Sequence, residues 1–324
     1  MPTISILIPI YNEENYIANC IDSILQSDYD KSSMEVILID GGSSDKTLEI
    51  IHKYQNKYNF IKLLNNEKKI VPIAMNLGIK ESIGDYIIRL DAHATYPKDY
   101  FSKLIEYHQK LDADNIGSII MTNVKNKTKI SSAIRNVLSD KLGVGSSFRT
   151  GIDKIKEVDT VPFGCFKRET FKKFGVYNEK LARNQDIELN KRIKNGGGKI
   201  YIIPEIQCTY YARETFFDFM KNNFNNGRWN ILTPFYTNTI NSLSLRHFIP
   251  MLFVFWLFFS LCCCTFISLI TLSTYLFIVI LRSYKIKKDT TLFMQVMAFI
   301  ILHFSYGFGS VYGILKVIKL YFQS

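Results

Sequence analysis

The chain has 324 residues, 47% hydrophobic and 21% charged, with 40 Lys and Arg against 29 Asp and Glu and a net charge of +11. That apolar content excludes a disordered chain, and the length permits one large domain or two. The lysines are scattered without interleaved aromatics, which excludes a nucleic-acid stacking surface and leaves anionic headgroups and phosphates as partners. The six cysteines show neither metal-ligand spacing nor a disulfide framework.

Thr3 to Pro9 reads as an unbroken apolar strand, Glu13 to Gln26 carries helical periodicity, and Glu35 to Ile39 is a second buried strand. A helix after Asp45, a strand near Phe60 to Leu64, a helix from about Val71 to Ser82 and a strand from Gly84 to Leu90 continue the alternation. Nearly continuous apolar strands alternating with helices imply a parallel sheet covered on both faces. Pro97 suits the start of the next helix, and a strand follows near Ile116 to Met121. The stretch from Lys125 to Asp159, with Gly143, Gly145 and Gly151, reads as an irregular acceptor-side loop. A strand from Val161 to Phe166, a short helix, a loop through Asn178, a helix from about Gln185 to Lys194 and a strand from Lys199 to Ile203 complete this part.

Thr215 to Asn230 then combines Phe216, Phe217, Phe219, Met220, Phe224 and Trp229 with Lys221 and Arg228. This is the pattern of a helix lying at a bilayer surface, with an ordinary packed helix as the alternative. Phe248 to Leu281 is 34 residues without a charge. As one helix it would run about 51 Å against a hydrocarbon core of about 30 Å, so a hairpin turning near Cys264 to Ser268 is expected, with one long tilted helix as the alternative. Arg246 and His247 stand before it and Arg282, Lys285, Lys287 and Lys288 after it, which puts both ends in the cytoplasm by the positive-inside rule.

The apolar run from Leu292 to Leu315 contains His303 and three glycines between Gly307 and Gly313. Those glycines weaken a straight helix, so the element spans, re-enters or lies kinked. His303 is read as a polar packing group, with an intramembrane functional role as the alternative. Nothing resembling an export signal precedes Ser5-Ile6-Leu7-Ile8, and Leu320 to Ser324 reads as a protease-tag remnant.

Parallel strands bring their carboxyl ends to one sheet edge, where ligands gather. Three sequences fall there: Tyr11-Asn12-Glu13-Glu14, Asp40-Gly41-Gly42-Ser43-Ser44-Asp45, and Asp91-Ala92-His93. Tyr11 offers a flat face, Asp40 an acceptor for a base's imide N–H, and the paired glycines permit close backbone approach. Asp91 and His93 form an acid and an imidazole able to share a metal ion. Capping roles for Ser44, Asp45 and Asp91 are the structural alternatives.

With these residues the chain resembles the inverting family 2 glycosyltransferases, which have the nucleotide-diphospho-sugar (GT-A) fold. The match runs from Ile4 to about Trp229 and rests on Ser5-Ile-Leu-Ile-Pro-Ile-Tyr-Asn-Glu13, Asp40 to Thr47, Asn76-Leu77-Gly78, Gly84-Asp85-Tyr86 and Gln185-Asp186. Arg89 to Ala94, Val161 to Gly164, Asn184 to Asn190 and Gly227-Arg228-Trp229 resemble the branch of succinoglycan-biosynthesis glycosyltransferases.

Composition and charge give an amphipathic interface segment over 213–246, a membrane region over 247–319 (hairpin about 248–281, third apolar segment about 292–315) and a tag remnant at 320–324, and the resemblance implies an α/β GT-A domain over residues 1–212. It implies that Pro9, Tyr11, Glu13, Asp40, Asn76 and Asp91 bind a nucleotide sugar. Asp91 and His93 would hold a divalent cation that neutralises the departing diphosphate. His93 stands where the family's Asp-X-Asp motif has a second acid, and a nitrogen donor favours manganese over magnesium.

Asp186 matches the family's catalytic base, which takes the proton of an acceptor hydroxyl as its oxygen attacks the anomeric carbon. Gln185 replaces the usual Glu, and a helix-dipole acid is the structural alternative for Asp186. Asn225 to Trp229 resembles the Gln-X-X-Arg-Trp motif with Asn225 in the Gln place. Trp229 would stack on an acceptor sugar and Arg228 would approach its phosphate, while Arg149 and Arg183 would contact a lipid diphosphate.

The function expected is a membrane-attached inverting transferase that moves a sugar, from UDP-hexose or another nucleotide diphosphate sugar, to a lipid-linked polyprenyl saccharide at the cytoplasmic face, in cell-surface or extracellular polysaccharide biosynthesis. A processive polysaccharide synthase, a polyprenyl-phosphate glycosyltransferase and a non-catalytic nucleotide-sugar-binding scaffold are the alternatives.

Overall fold

The computed structural model describes residues 1–143, 148–149, 152–238 and 245–323. Gly145, Gly151, residues 239–244 of the interface segment, the Arg246 side chain and Ser324 of the tail lie outside the described residues. The chain divides into two compact units, one of Met1–Met121 with Ser147–Tyr210 and one of Thr122–Ser146 with Tyr211–Ser324.

The first unit alternates strands and helices: β1 (Ile4–Ile10), α1 (Ile17–Leu25), β2 (Met34–Asp40), α2 (Thr47–Gln55), β3 (Ile61–Asn65), α3 (Val71–Glu81), β4 (Tyr86–Arg89), β5 (Ala94–Thr95), α4 (Tyr100–Leu111) and β6 (Asn115–Asn123). After α5 (Lys129–Leu138) come β7 (Lys156–Glu157), β8 (Cys165–Lys167), α6 (Arg168–Phe174), α7 (Gln185–Asn195) and β9 (Ile200–Tyr211). The sheet runs β3-β2-β1-β4-β8-β6-β9-β5, with β7 paired to β9. β3, β2, β1 and β4 are parallel, whereas β8 lies antiparallel to both β4 and β6.

β1 and β2 at the centre of the parallel half are buried almost throughout because most of their positions are apolar. Ile4, Ile6, Ile8 and Ile10 of β1 enter one core and Leu7 enters the other with Ile37 and Ile39. The buried Glu35 carboxylate accepts from Ser5 Oγ at 2.6 Å, Ile83 N at 2.6 Å and Lys62 Nζ at 2.8 Å, so its desolvation is offset by full pairing.

The second unit holds α5, α8 (Phe216–Thr237), α9 (Ile249–Cys263), α10 (Thr265–Ile286) and α11 (Leu292–Tyr321). The stretch expected to be irregular contains α5, started by a capping box between Thr128 and Ser131. The signal was legible as Ile130, Ala133, Ile134 and Val137, an i, i+3, i+4, i+7 stripe. α5 belongs to the second unit, so the boundary expected at 212 is supplemented by an excursion over 122–146.

The helical run breaks at Cys264 (φ −159°), and α9 and α10 pair through Ser260 Oγ to Ser268 Oγ at 2.7 Å and Trp256 Nε1 to Thr271 Oγ1 at 3.2 Å. α10 and α11 are each long and apolar enough to cross a membrane. α11 is one continuous helix of 30 residues. Its glycines do not break it because they serve contact with α8: a Cβ at Gly309 would lie 2.0 Å from Phe224 O, and one at Gly313 2.7 Å from Arg228 O. Small residues let helix backbones approach this closely. His303 links Tyr275 Oη at 3.0 Å to Leu142 O at 3.0 Å, a polar packing role.

Candidate active site

Because β1 to β4 are parallel, Tyr11, Asp40, Asn65 and Asp91 all follow strand ends at one edge. The first two loops are laced together: Asn12 N donates to Ser43 Oγ at 2.9 Å, Ser44 N to Asn12 Oδ1 at 2.8 Å, Glu13 N to Thr47 Oγ1 at 2.8 Å and Lys46 N to Glu14 Oε2 at 3.0 Å. Asn12 adopts φ +54° and Gly42 φ +84° to make these turns. Tyr11 is left 58% exposed beside them, its ring available for stacking. Pro9 is partly buried in β1.

Asp40 is buried and accepts from Gly42 N at 2.9 Å and Ser43 Oγ at 2.6 Å, so its carboxylate shapes the loop. Asn76 is also committed within the protein. Its amide takes Tyr177 N at 2.9 Å and gives to Tyr177 O and Glu179 Oε1, each at 2.9 Å. It thereby holds the loop ahead of α7.

Asp91 and His93 face different partners. Asp91 Oδ1 accepts from Arg89 Nη2 at 3.1 Å, and Asp91 Oδ2 carries no hydrogen bond among the described residues. The Asp91 backbone is fixed by Tyr96 Oη, 3.1 Å from both its N and its O. His93 Nδ1 lies 3.1 Å from Glu13 Oε1, with Tyr210 edge-on at 4.9 Å. Burial disfavours the charged imidazole, but Tyr210, Glu13 and Asp91 outweigh it and push its pKa up to about 10. In this structure His93 thus pairs with Glu13 while Asp91 keeps one carboxylate oxygen open, and the two stand as candidate holders of a cation. One carboxylate with an open oxygen fits a cation held largely by diphosphate and water; a built all-protein metal cage is absent among the described residues.

α7 starts at Gln185 after Asn184 in the left-handed conformation, φ +61°. Asp186 thus falls in the first helical turn, where the dipole favours its negative charge, and its side chain is 33% exposed. Asp186 Oδ2 is 3.5 Å from Arg89 Nη1. Arg89 therefore stands between the two carboxylates that the sequence singled out, and it was itself read as a strand residue and as part of the stretch Arg89 to Ala94, with no role of its own. Burial opposes its charge, but Asp91 and Asp186 outweigh that and raise its pKa further. Arg149 lies over the Tyr210 ring at 5.2 Å, and burial lowers its pKa.

The model of Glycosyl transferase family 2 matches residues 5–175. The chain belongs to glycosyl transferase family 2. It is 34% identical over 70% of its length, and 72% of the relative's, to "Dolichyl N-acetyl-alpha-D-glucosaminyl phosphate 3-beta-D-2,3-diacetamido-2,3-dideoxy-beta-D-glucuronosyltransferase" of Methanococcus voltae. It is 31% identical over 64% of its length, and 63% of the relative's, to "Succinoglycan biosynthesis protein ExoA" of Rhizobium meliloti, so it spans less than two thirds of that second relative. Among solved structures it resembles a mannosyltransferase of Pyrobaculum calidifontis in complex with GDP-Man and Mn2+, with TM-score 0.64, 13% identity and coverage of 97% of this chain and 88% of that one. The expected GT-A fold is thereby established, and this family 2 member is a glycosyltransferase.

Arg228 and Trp229 of this glycosyltransferase lie in its second unit. Trp229, expected to stack on an acceptor sugar, is 9% exposed and stacks with Tyr236 at 6.0 Å. α8 likewise buries Phe219, Asn223, Gly227 and Leu232 in helix packing, with Phe217 and Met220 left exposed. Arg228 is half-buried, its Nε without a hydrogen-bond partner.

Proposed function

We propose that this glycosyltransferase is membrane-attached and inverting, and moves one sugar from a nucleotide diphosphate sugar, UDP-hexose in the first instance, to a lipid-linked saccharide. The observation that carries the reading is a pair of carboxylates joined through Arg89: Asp91 after a strand end with an open oxygen, and Asp186 one third exposed at a helix start.

Tyr11 stacks on the base, and the Asp40-shaped loop brings its backbone against the nucleoside. Asp91 would hold a divalent cation, manganese by preference, which when bound neutralises the diphosphate as it leaves. Asp186 accepts the proton of the acceptor hydroxyl while that oxygen displaces the diphosphate, and a single displacement inverts the anomeric carbon. Arg149 is assigned to a phosphate of the acceptor.

The apolar helices suit an acceptor whose lipid leaves the bilayer only at a cost of about 0.8 kcal/mol per CH₂ group. Basic residues at both ends of the hairpin favour a cytoplasmic catalytic unit. The relative from Methanococcus voltae, named for a dolichyl-linked acceptor, supports this acceptor class.

The test is to incubate the full chain in lipid nanodiscs with radiolabelled nucleotide sugars and polyprenyl-linked saccharides, comparing manganese with magnesium. One added sugar per lipid-linked acceptor, of inverted anomeric configuration, is expected. A lengthening polymer or a monoglycosylated polyprenyl phosphate would replace the reading with a synthase or a polyprenyl-phosphate transferase.

A further inference from the structure

The sheet edge holds a group that the proposed chemistry leaves without a task. Arg89 is the last residue of β4, its side chain is 13% exposed, and it spends two different nitrogens on two carboxylates: Nη2 on Asp91 at 3.1 Å and Nη1 on Asp186 at 3.5 Å. These two acids come from the loop after β4 and from α7, 95 residues apart in sequence. The third nitrogen of Arg89, Nε, is buried without a partner. Nearby, the Tyr177 hydroxyl is likewise buried without a partner, and its ionisation feels Arg89, Asp186 and Asp91. A structural ion pair does not need this arrangement, because one carboxylate held bidentately would serve a buried guanidinium better.

We propose that Arg89 is a positioning residue that ties the donor-side carboxylate Asp91 to the acceptor-side base Asp186, so that occupation of the donor site sets the orientation of the base. The proposal rests on the reading of Asp186 as base.

Its physical content is geometric and electrostatic. Two carboxylates directed at one guanidinium repel each other, and the cation between them offsets that repulsion. The planar guanidinium holds two directions at once, which a lysine ammonium on a flexible stem does not. The long 3.5 Å reach to Asp186 leaves slack on the acceptor side. A ligand that draws on Asp91 competes for its share of Arg89 and leaves the guanidinium free to close on Asp186.

The test uses the full chain in nanodiscs with Arg89→Lys, Arg89→Ala and Asp186→Asn. UDP, GDP and dTDP are each titrated with manganese, and the one that binds the wild type most tightly serves as the probe of an intact donor site. Both Arg89 variants are expected to bind it within about 3-fold of wild type and to lose about 100-fold in kcat at saturating substrates, the scale of one misdirected charged contact in a transition state. Added guanidinium ion is expected to restore Arg89→Ala by about 10-fold or more, to do nothing for Asp186→Asn, and to do nothing for the double variant.

Transfer by Arg89→Lys within about 3-fold of wild type, or no restoration of a nucleotide-binding Arg89→Ala, overturns the link. So does a loss that lies wholly in donor affinity. Normal transfer by Asp186→Asn overturns instead the reading of the base on which the link depends.

Discussion

Gly42 and Gly309 are both positions at which a side chain is excluded, and they are excluded for opposite reasons. Gly42 sits in open loop at φ +84°, a backbone region that side chains penalise. Gly309 has ordinary helical geometry, and what forbids a Cβ is the Phe224 carbonyl oxygen of α8 at 2.0 Å. Gly42 supplies conformation, and Gly309 supplies proximity.

The arginines divide the same way. Arg282 gives Nε and Nη2 to one carboxylate, Asp140, at distances from 2.5 to 3.0 Å. Arg89 splits its nitrogens between two carboxylates at 3.1 and 3.5 Å. A guanidinium that closes on one partner fastens an assembly, whereas one shared with slack between two partners leaves both able to respond to a ligand. The comparison teaches that in this chain assembly is carried by the membrane-type unit and adjustability by the sheet edge.

Variants of the two units should therefore fail in different assays. Asp91→Asn is expected to lower cation-dependent transfer about 1,000-fold, or about 4 kcal/mol, while the thermal unfolding midpoint stays within a few degrees. A collapse of stability instead would make Asp91 an assembly residue and erase the contrast.

Gly309→Leu should do the reverse. Overpacking against α8 should cost about 3 kcal/mol of stability, read as a lower melting temperature in nanodiscs, with nucleoside diphosphate affinity unchanged. Arg282→Ala leaves the buried Asp140 carboxylate unpaired and should cost about 2 kcal/mol, less than a fully buried pair because Arg282 is itself 38% exposed. The double variant Arg282→Met with Asp140→Asn should recover most of that loss, and an additive double variant would show that the pair is not what fastens α5.

The smallest effect concerns acid. His108 is fully buried with Nε2 donating to Cys165 O at 2.8 Å, and burial lowers its pKa to about 4. Its unfolded value is about 6.5, so between about 4 and 6.5 the unfolded chain binds the extra proton and stability falls as pH drops through that window. His108→Gln should flatten this slope, so that the variant loses about 1–2 kcal/mol less than wild type between pH 7 and pH 4.5. Parallel pH profiles of the two melting temperatures would remove His108 from the account.

What the sequence showed and hid follows the range of the interactions. β1 to β4 and α1 to α3 were legible because each is stated locally by an apolar run or a 3.6-residue period. The edge loops were legible because parallel topology fixes where strand ends lie. The partner of His93, the second carboxylate of Arg89 and the burial of Trp229 depend on residues tens of positions away, and no local pattern encodes them. The glycines of α11 were seen but assigned their loop meaning, since a sequence does not say which neighbour a helix face meets. α5 was missed although its stripe was present, because Gly143, Gly145 and Gly151 drew the whole stretch into one loop reading.

The central claim, that the carboxylates at Asp91 and Asp186 form one transfer site with separate donor and base duties, is tested most directly by Asp186→Asn. Single-turnover transfer from a labelled nucleotide sugar to a lipid-linked acceptor should fall about 1,000-fold, while cation-dependent nucleoside diphosphate binding stays within about 3-fold of wild type, the spread expected for a remote neutral change. Transfer that survives the substitution, or nucleotide binding that disappears with it, would contradict that division of labour.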